Sequence, residues 1–280
     1  MDARGRAAGS RSAKSPVFAQ VIGIHAVPLR HIILPWMALL LLAVLAWVVT
    51  VRQASGMGIA AGTMDTQLPP FLAMWVTMMT AMMFPSVAPT AILWARTINR
   101  GSAGGVRAWR ITSFLSGYLI AWAAYGVVAF AVLTGAQRLV DLSPQGARVF
   151  GSAVFAVAGV YQLTPLKDVC LRHCRSPLAQ LIHYGSFKGI GRDLRVGVHH
   201  GAYCVGCCWA FMLVLVAVGV MNIAAMAGLA ALIFLEKLWR RGPVLARLTG
   251  GVFLVLAVLA LFQPGLLPGI SPPDTMEMIK

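Results

Sequence analysis

The chain has 280 residues, of which 59% are hydrophobic and only 11% are charged, and its formal net charge is +15. A soluble protein of this length would carry about twice that charged fraction, so the composition predicts an integral membrane protein. The positive charge does not indicate nucleic-acid binding, because the basic residues lie in short segments between apolar runs. There they set membrane topology and contact anionic lipid.

The order of basic, apolar and Pro-rich stretches predicts three regions. The first apolar run, Ile32–Val51, is longer than the core of a signal peptide and is followed directly by Arg52. We therefore predict that it is retained as a span and is not cleaved. The regions are a basic cytoplasmic arm at 1–30, a transmembrane helical domain at 31–262 with a cytoplasmic Cys/His loop at 165–200, and a Pro-rich tail at 263–280.

The apolar runs predict an all-α bundle of about seven transmembrane helices. One run, from Gly201 to Leu238, would be about 57 Å long as a single helix, nearly twice the hydrocarbon thickness. We therefore predict a turn within Gly219–Asn222. The predicted spans are Ile32–Val51, Phe71–Ala95, Ile111–Thr134, Val149–Thr164, Gly201–Gly219, Asn222–Leu238 and Leu245–Phe262.

The distribution of basic residues predicts the orientation of these spans. With the N-terminus in the cytoplasm and seven crossings, 19 of the chain's 23 Lys and Arg residues fall on the cytoplasmic side. Cytoplasmic segments of membrane proteins are enriched in Lys and Arg. The N-terminus is thus expected inside and the C-terminus outside.

The five cysteines form two groups that this topology places on the cytoplasmic side. Cys170 and Cys174 follow the fourth span, with His173 between them, and the other group opens the fifth span. On a helix His200, Cys204, Cys207 and Cys208 share roughly a third of the circumference. Thiols are reduced in the cytoplasm and are ligands for soft metals. We predict that the intervening loop folds back to join both groups in one site that uses thiols of both groups and His200, with His173 and His183 as further candidate ligands.

The second span carries a dense group of methionines. Met74, Met78 and Met82 repeat every four residues, and Met79 and Met83 form a parallel pair. Thioethers are soft, neutral ligands that suit Cu(I) and tolerate an apolar environment. Both ordinary core packing and a path for a soft metal fit this pattern. Pro85 removes a helical hydrogen bond and predicts a kink just beyond the methionines.

Three segments together resemble the predicted metal-binding integral membrane proteins, an uncharacterised family of bacterial domains of unknown function. They are the stretch from Trp75 to Ser86, the stretch from Tyr161 to Pro177, and the stretch from His200 to Trp209 continuing to Leu238. The resemblance covers roughly Phe71 to Leu238. It implies a bacterial inner-membrane location, with a periplasmic C-terminus on this topology, but no reaction. It also implies a metal site carried by Cys170, His173, Cys174, His200, Cys204, Cys207 and Cys208.

Three classes of function fit the sequence. The leading hypothesis is binding of a soft metal in trafficking or transport, most strongly Cu(I), with zinc as the rival ion for mixed thiolate and imidazole ligands. Its partners would be the metal ion, membrane lipids and, if the metal is delivered, a protein, with no nucleic acid. The alternatives are a thiol oxidoreductase using Cys204 and Cys207, and a structural subunit of a membrane complex. No paired carboxylates favour a hydrolase, so we expect binding rather than catalysis.

Overall fold

The computed structural model describes residues 30–57, 67–96 and 104–263. Within these ranges the ordered backbone is helical and contains no strand, as predicted. The predicted tail lies outside the described residues except for Gln263, and the predicted arm except for Arg30. The helices are α1 (Arg30–Met57), α2 (Leu68–Arg96), α3 (Gly104–Leu142), α4 (Pro144–Gln162), α5 (Pro165–Arg175), α6 (Pro177–Tyr184), α7 (Arg192–Val218), α8 (Ile223–Leu238) and α9 (Gly242–Phe262).

Five of the described helices, α1, α2, α3, α7 and α9, are long and apolar enough to cross a membrane. A sixth crossing is present if α4 and α5, which are bent by 65° relative to each other, act as one broken span. α8 has 16 residues, or about 24 Å, which is shorter than the roughly 30 Å of hydrocarbon in a bilayer. The all-helical membrane architecture is therefore supported, whereas the predicted count of seven spans is not confirmed.

The predicted turn between α7 and α8 is present. Gly219, directly after α7, has a φ of +107°, a conformation that favours glycine because a side chain would clash there. Asn222 caps α8 by accepting a hydrogen bond from the backbone N–H of Ala225 at 3.1 Å. α8 then runs back along α7, and the Lys237 ammonium in its last turn lies 3.1 Å from the Cys204 sulfur.

The segment predicted as a Cys/His loop is largely helical, and this corrects the sequence-based expectation. It contains α5, α6 and the first turns of α7. Pro165 and Pro177 begin helices instead of ending them, since the first helical position needs no N–H donor. Thr164 caps α5 by accepting a hydrogen bond from the Lys167 N–H at 3.3 Å. Because α5 is short and polar, its hydropathy resembles that of a loop.

The most extensive pairing between described helices joins α3 to α7. Small residues allow this close approach: a Cβ on Gly197 would collide with the Phe114 carbonyl, and one on Gly201 would lie 2.7 Å from the Ala121 Cβ. Glycine at such positions lets helix backbones come close together. The approach brings the Tyr118 hydroxyl of α3 to 3.1 Å from the Cys204 sulfur.

Candidate metal centre

Three cysteine sulfurs of α7 form a compact buried group. Cys204, Cys207 and Cys208 are each 1% exposed, and their sulfurs all lie within 4.8 Å of one another. The Cys207 and Cys208 sulfurs are 3.2 Å apart. The helical period places positions separated by three or four residues on one face, so a single helix presents all three thiols to the same point.

The first cysteine group reaches this cluster from α5. The Cys174 sulfur lies 3.7 Å from the Cys207 sulfur, across 33 positions of the chain. Cys170, one turn earlier on α5, lies against α7, where a Cβ added to Gly206 would be 2.9 Å from the Cys170 sulfur. The structure thus brings the two groups together, as the hypothesis of one shared site requires.

The two predicted histidine ligands lie beside the thiols. His200 is 3% exposed and packs against the Tyr118 ring at 6.0 Å between centroids. The His173 ring stacks on that of Tyr203 at 3.8 Å. Among the described residues, the group of mutually close candidate ligand atoms contains only the three α7 cysteines. Neither imidazole therefore belongs to that compact group.

Tyr184, which the sequence did not single out, connects these histidines. Its hydroxyl lies 3.3 Å from the His173 Nε2 and 3.3 Å from the His200 Nδ1. Burial raises the pKa of the Tyr184 phenol well above its ordinary value, because the phenolate would lose its hydration. The hydroxyl therefore stays protonated and holds both rings at the edge of the cluster.

Lys237 supplies a buried positive charge next to the thiols. Its ammonium lies 3.1 Å from the Cys204 sulfur and 3.2 Å from the Ser86 hydroxyl of α2. The residue is 8% exposed, and a buried charge needs partners of opposite sign or strong hydrogen bonds. A cation against a thiol stabilises the thiolate, which is the form that binds metals.

A second buried ammonium, that of Lys167, supports the same region from the other side. It lies 2.8 Å from the Glu236 carboxylate and donates to the Cys207 carbonyl at 2.6 Å. The Gln162 amide donates to the other carboxylate oxygen of Glu236 at 3.0 Å. Sequence reasoning named neither lysine as a ligand, and it did not place Lys237 near the thiols. The available signal was a charged residue beside or within a long apolar run. Such a placement is costly in a membrane, so a charged residue found there usually has a function.

The methionines of α2 lie within the helical core. Met78, Met79 and Met83 are fully buried and Met82 is 3% exposed, whereas Met74 is half-buried. The helix continues through Pro85 to Arg96. Ser86 connects this stretch with the thiols. Its hydroxyl donates to the Met83 carbonyl at 2.9 Å and accepts a hydrogen bond from the Lys237 ammonium, which also contacts the Cys204 sulfur. The assignment of these thioethers as metal ligands stays a prediction.

One comparison with known proteins, that with protein families, supports a metal-related function. Residues 72–260 match the model of a family described as PpoB2, copper chaperone. No curated protein and no solved structure matches the chain. The matched region contains all five cysteines and the methionines of α2. Since the match covers more than half of the 280 residues, the chain belongs to the PpoB2 copper chaperone family.

Proposed function

We propose that this protein is an inner-membrane copper chaperone that holds Cu(I) at the buried thiols and passes it to a protein partner. The proposal rests on three sulfurs that lie close together. The Cys207 sulfur lies 3.2 Å from the Cys208 sulfur and 3.7 Å from the Cys174 sulfur. Metal–sulfur bonds of about 2.3 Å require sulfurs that share an ion to lie within about 4 Å of each other. Thiolates are also the ligand type that selects Cu(I).

The charges around the cluster support a site with few thiolates. Lys167, Lys237 and Glu236 are buried together and sum to one positive charge. Cu(I) with two thiolates carries one negative charge and would be neutralised by them, whereas zinc with four thiolates would leave net negative charge in a dry interior, which is costly. Zinc with three thiolates would also be neutralised, so zinc stays the rival ion. The copper chaperone family favours copper.

The burial of the thiols makes disulfide exchange with another protein the weaker alternative. Exchange requires a thiolate to attack a disulfide along an open path. Cys204 and Cys207 are each only 1% exposed. A small ion reaches such a site more readily than a protein disulfide does, so the structure supports metal binding over oxidoreductase chemistry.

The test is to load the full-length protein in detergent with Cu(I) under anaerobic, reducing conditions. We expect about one tightly bound copper with sulfur ligands near 2.3 Å by X-ray absorption, together with a loss of titratable thiols. Competition with zinc identifies the preferred ion. Absence of bound copper, or copper without sulfur neighbours, would overturn the proposal.

The exposed apolar faces of the helices support the membrane location. Leu41 of α1 and Val255 of α9 are each 59% exposed, a burial pattern that suits contact with lipid rather than with water. In the proposed arrangement α4 and α5 form one broken crossing, and the short α8 completes seven crossings. The N-terminus is then cytoplasmic, the C-terminus is periplasmic, and the thiol cluster lies toward the cytoplasmic face.

Reporter fusions test this orientation. A reporter fused after Phe262 is expected to be periplasmic, and reporters inserted at 97–103 are expected to be cytoplasmic, because Lys and Arg accumulate on the cytoplasmic side. The insertion serves as the internal reference for the C-terminal fusion. A cytoplasmic reading after Phe262 would mean that α8 does not cross and that the protein has six spans.

A further inference from the structure

A separate cavity lies beside the thiol cluster, where α5, α6 and α7 meet. Its volume is about 240 Å³, and its lining includes His173 of α5, His183 of α6 and His199 of α7. Gln180 and Tyr203 also face it. Three imidazoles from three different helices thus line one cavity. Two of them, those of His183 and His199, are not next to a cysteine in the sequence.

The spacing of these rings fits a shared ion. The His183 and His199 centroids are 5.1 Å apart, and the His173 and His199 centroids are 5.8 Å apart. Imidazoles whose nitrogens lie about 2 Å from one metal have ring centroids roughly 5–6 Å apart. Imidazole nitrogen is a common ligand for copper and zinc. Because the three histidines do not form one of the described groups whose ligand atoms all lie within 4.8 Å of one another, their side chains must rotate to bring nitrogens to one ion.

Two residues that line this cavity each have a buried side-chain atom that lacks a hydrogen-bond partner within the described part of the chain. These atoms are the Nδ1 of His199 and the side-chain oxygen of Gln180. Gln180 is 2% exposed, and its amide nitrogen donates to the His173 carbonyl, which leaves the oxygen as a free acceptor. Buried polar atoms are nearly always paired. A cation would satisfy both when the His199 proton is on Nε2, since Nδ1 and the Gln180 oxygen then each present an electron pair; an ordered water is the alternative occupant.

The chain connects this cavity directly to the thiols. His173 precedes Cys174, whose sulfur touches that of Cys207. His199 precedes the buried His200, and the Tyr184 hydroxyl lies between His173 and His200. One ligand of an ion held by the imidazoles would therefore be the residue directly before Cys174 on α5.

We infer that His173, His183 and His199 form a second, imidazole-based copper site, which receives Cu(I) before the thiols bind it. The inference rests on the proposed function of the thiol centre. Transfer is a ligand exchange in which copper–nitrogen bonds break as copper–sulfur bonds form. Copper stays in its +1 state, and the proton released by each thiol passes to a freed imidazole or to water. Nitrogen ligands hold Cu(I) less strongly than thiolates do, which gives the transfer its direction.

The test uses the full-length protein in detergent, with Cu(I) as the probe under anaerobic, reducing conditions. A variant in which all five cysteines are changed to Ser is expected to retain about one copper, with nitrogen and oxygen neighbours only. Adding His183→Ala and His199→Ala should abolish that copper. In the chain with intact cysteines, the two histidine changes should slow loading of the thiols by about tenfold or more while the final copper–sulfur signal stays unchanged.

Ile182→Ala is the matched control, because Ile182 lies next to His183 on α6 but is 82% exposed and does not line the cavity, and this variant should load at the wild-type rate. If the double histidine variant does not fold, His183→Ala alone suffices, since His183 is exposed. Retention of no copper by the cysteine variant, or wild-type loading by the histidine variants, would overturn the inference and would point to water in the cavity. Copper–sulfur binding in the wild type would still support the thiol centre. Its absence would refute that centre and the transfer to it, whereas nitrogen-bound copper in the cysteine variant would still support the imidazole site.

Discussion

Lys167→Met is expected to lower the free energy of unfolding by about 3–5 kcal/mol, because it leaves a buried carboxylate without its partner. The Lys167 ammonium lies 2.8 Å from Glu236, and their side chains are 0% and 2% exposed. The same ammonium donates to the Cys207 carbonyl and lies 4.7 Å from the centre of the Phe211 ring. Thermal unfolding in detergent, followed by loss of the folded species on size exclusion, measures the effect.

Two comparisons separate this ion pair from a general effect of charge removal. Lys167→Met combined with Glu236→Leu should recover most of the loss, because no charge is left unpaired. Arg247→Met removes a neighbouring pair with Asp168 that is 3.8 Å long and has side chains 67% and 34% exposed. An exposed pair contributes at most about 1 kcal/mol, so this variant should unfold like the wild type. Equal losses from Lys167→Met and Arg247→Met would contradict the buried-pair explanation.

Cys207→Ser is expected to weaken copper binding more than any other single cysteine substitution, by more than about 100-fold. Cys207 is the sulfur that touches both Cys174 and Cys208. Removing a group that only orients a ligand typically costs 10–100-fold in affinity, so removing the central ligand should exceed that range. Competition against a Cu(I) chelator of known affinity measures the change. Serine preserves volume, so the fold should persist.

The neighbouring residues provide graded controls for this experiment. Cys174→Ser should also lose most of the copper, and adding Cys204→Ser should increase that loss only slightly, if one ion is shared.

Lys237→Met should weaken binding by roughly 10–100-fold through the loss of thiolate stabilisation. The combined Met78→Leu and Met82→Leu variant conserves volume and should fold normally, so any loss of copper from it would reflect the thioethers. Wild-type affinity in Cys207→Ser would contradict the thiol centre.

Features that depend on local sequence were predictable in this protein. Long apolar runs specify most helices because a bilayer leaves only helices as a way to pair every backbone group. The turn at Gly219–Asn222 followed from the length of one run and from the pairing of Gly219 with Asn222 near its middle. The clustering of Cys204, Cys207 and Cys208 followed from the helical period. Each of these depends on neighbours within about one turn or on the thickness of the membrane.

The approach of residues that are distant in the chain was decided only by the tertiary structure. The contact between Cys174 and Cys207 depends on the bend between α4 and α5 and on how α5 packs against α7, neither of which is encoded in one segment. The same packing buries Lys167 and Lys237 beside the thiols. It also assembles three histidines from three helices around one cavity. Hydropathy is an average over a segment, so the polar helix α5 has the hydropathy of a loop. The few side chains that α5 buries meet their partners only in the folded bundle.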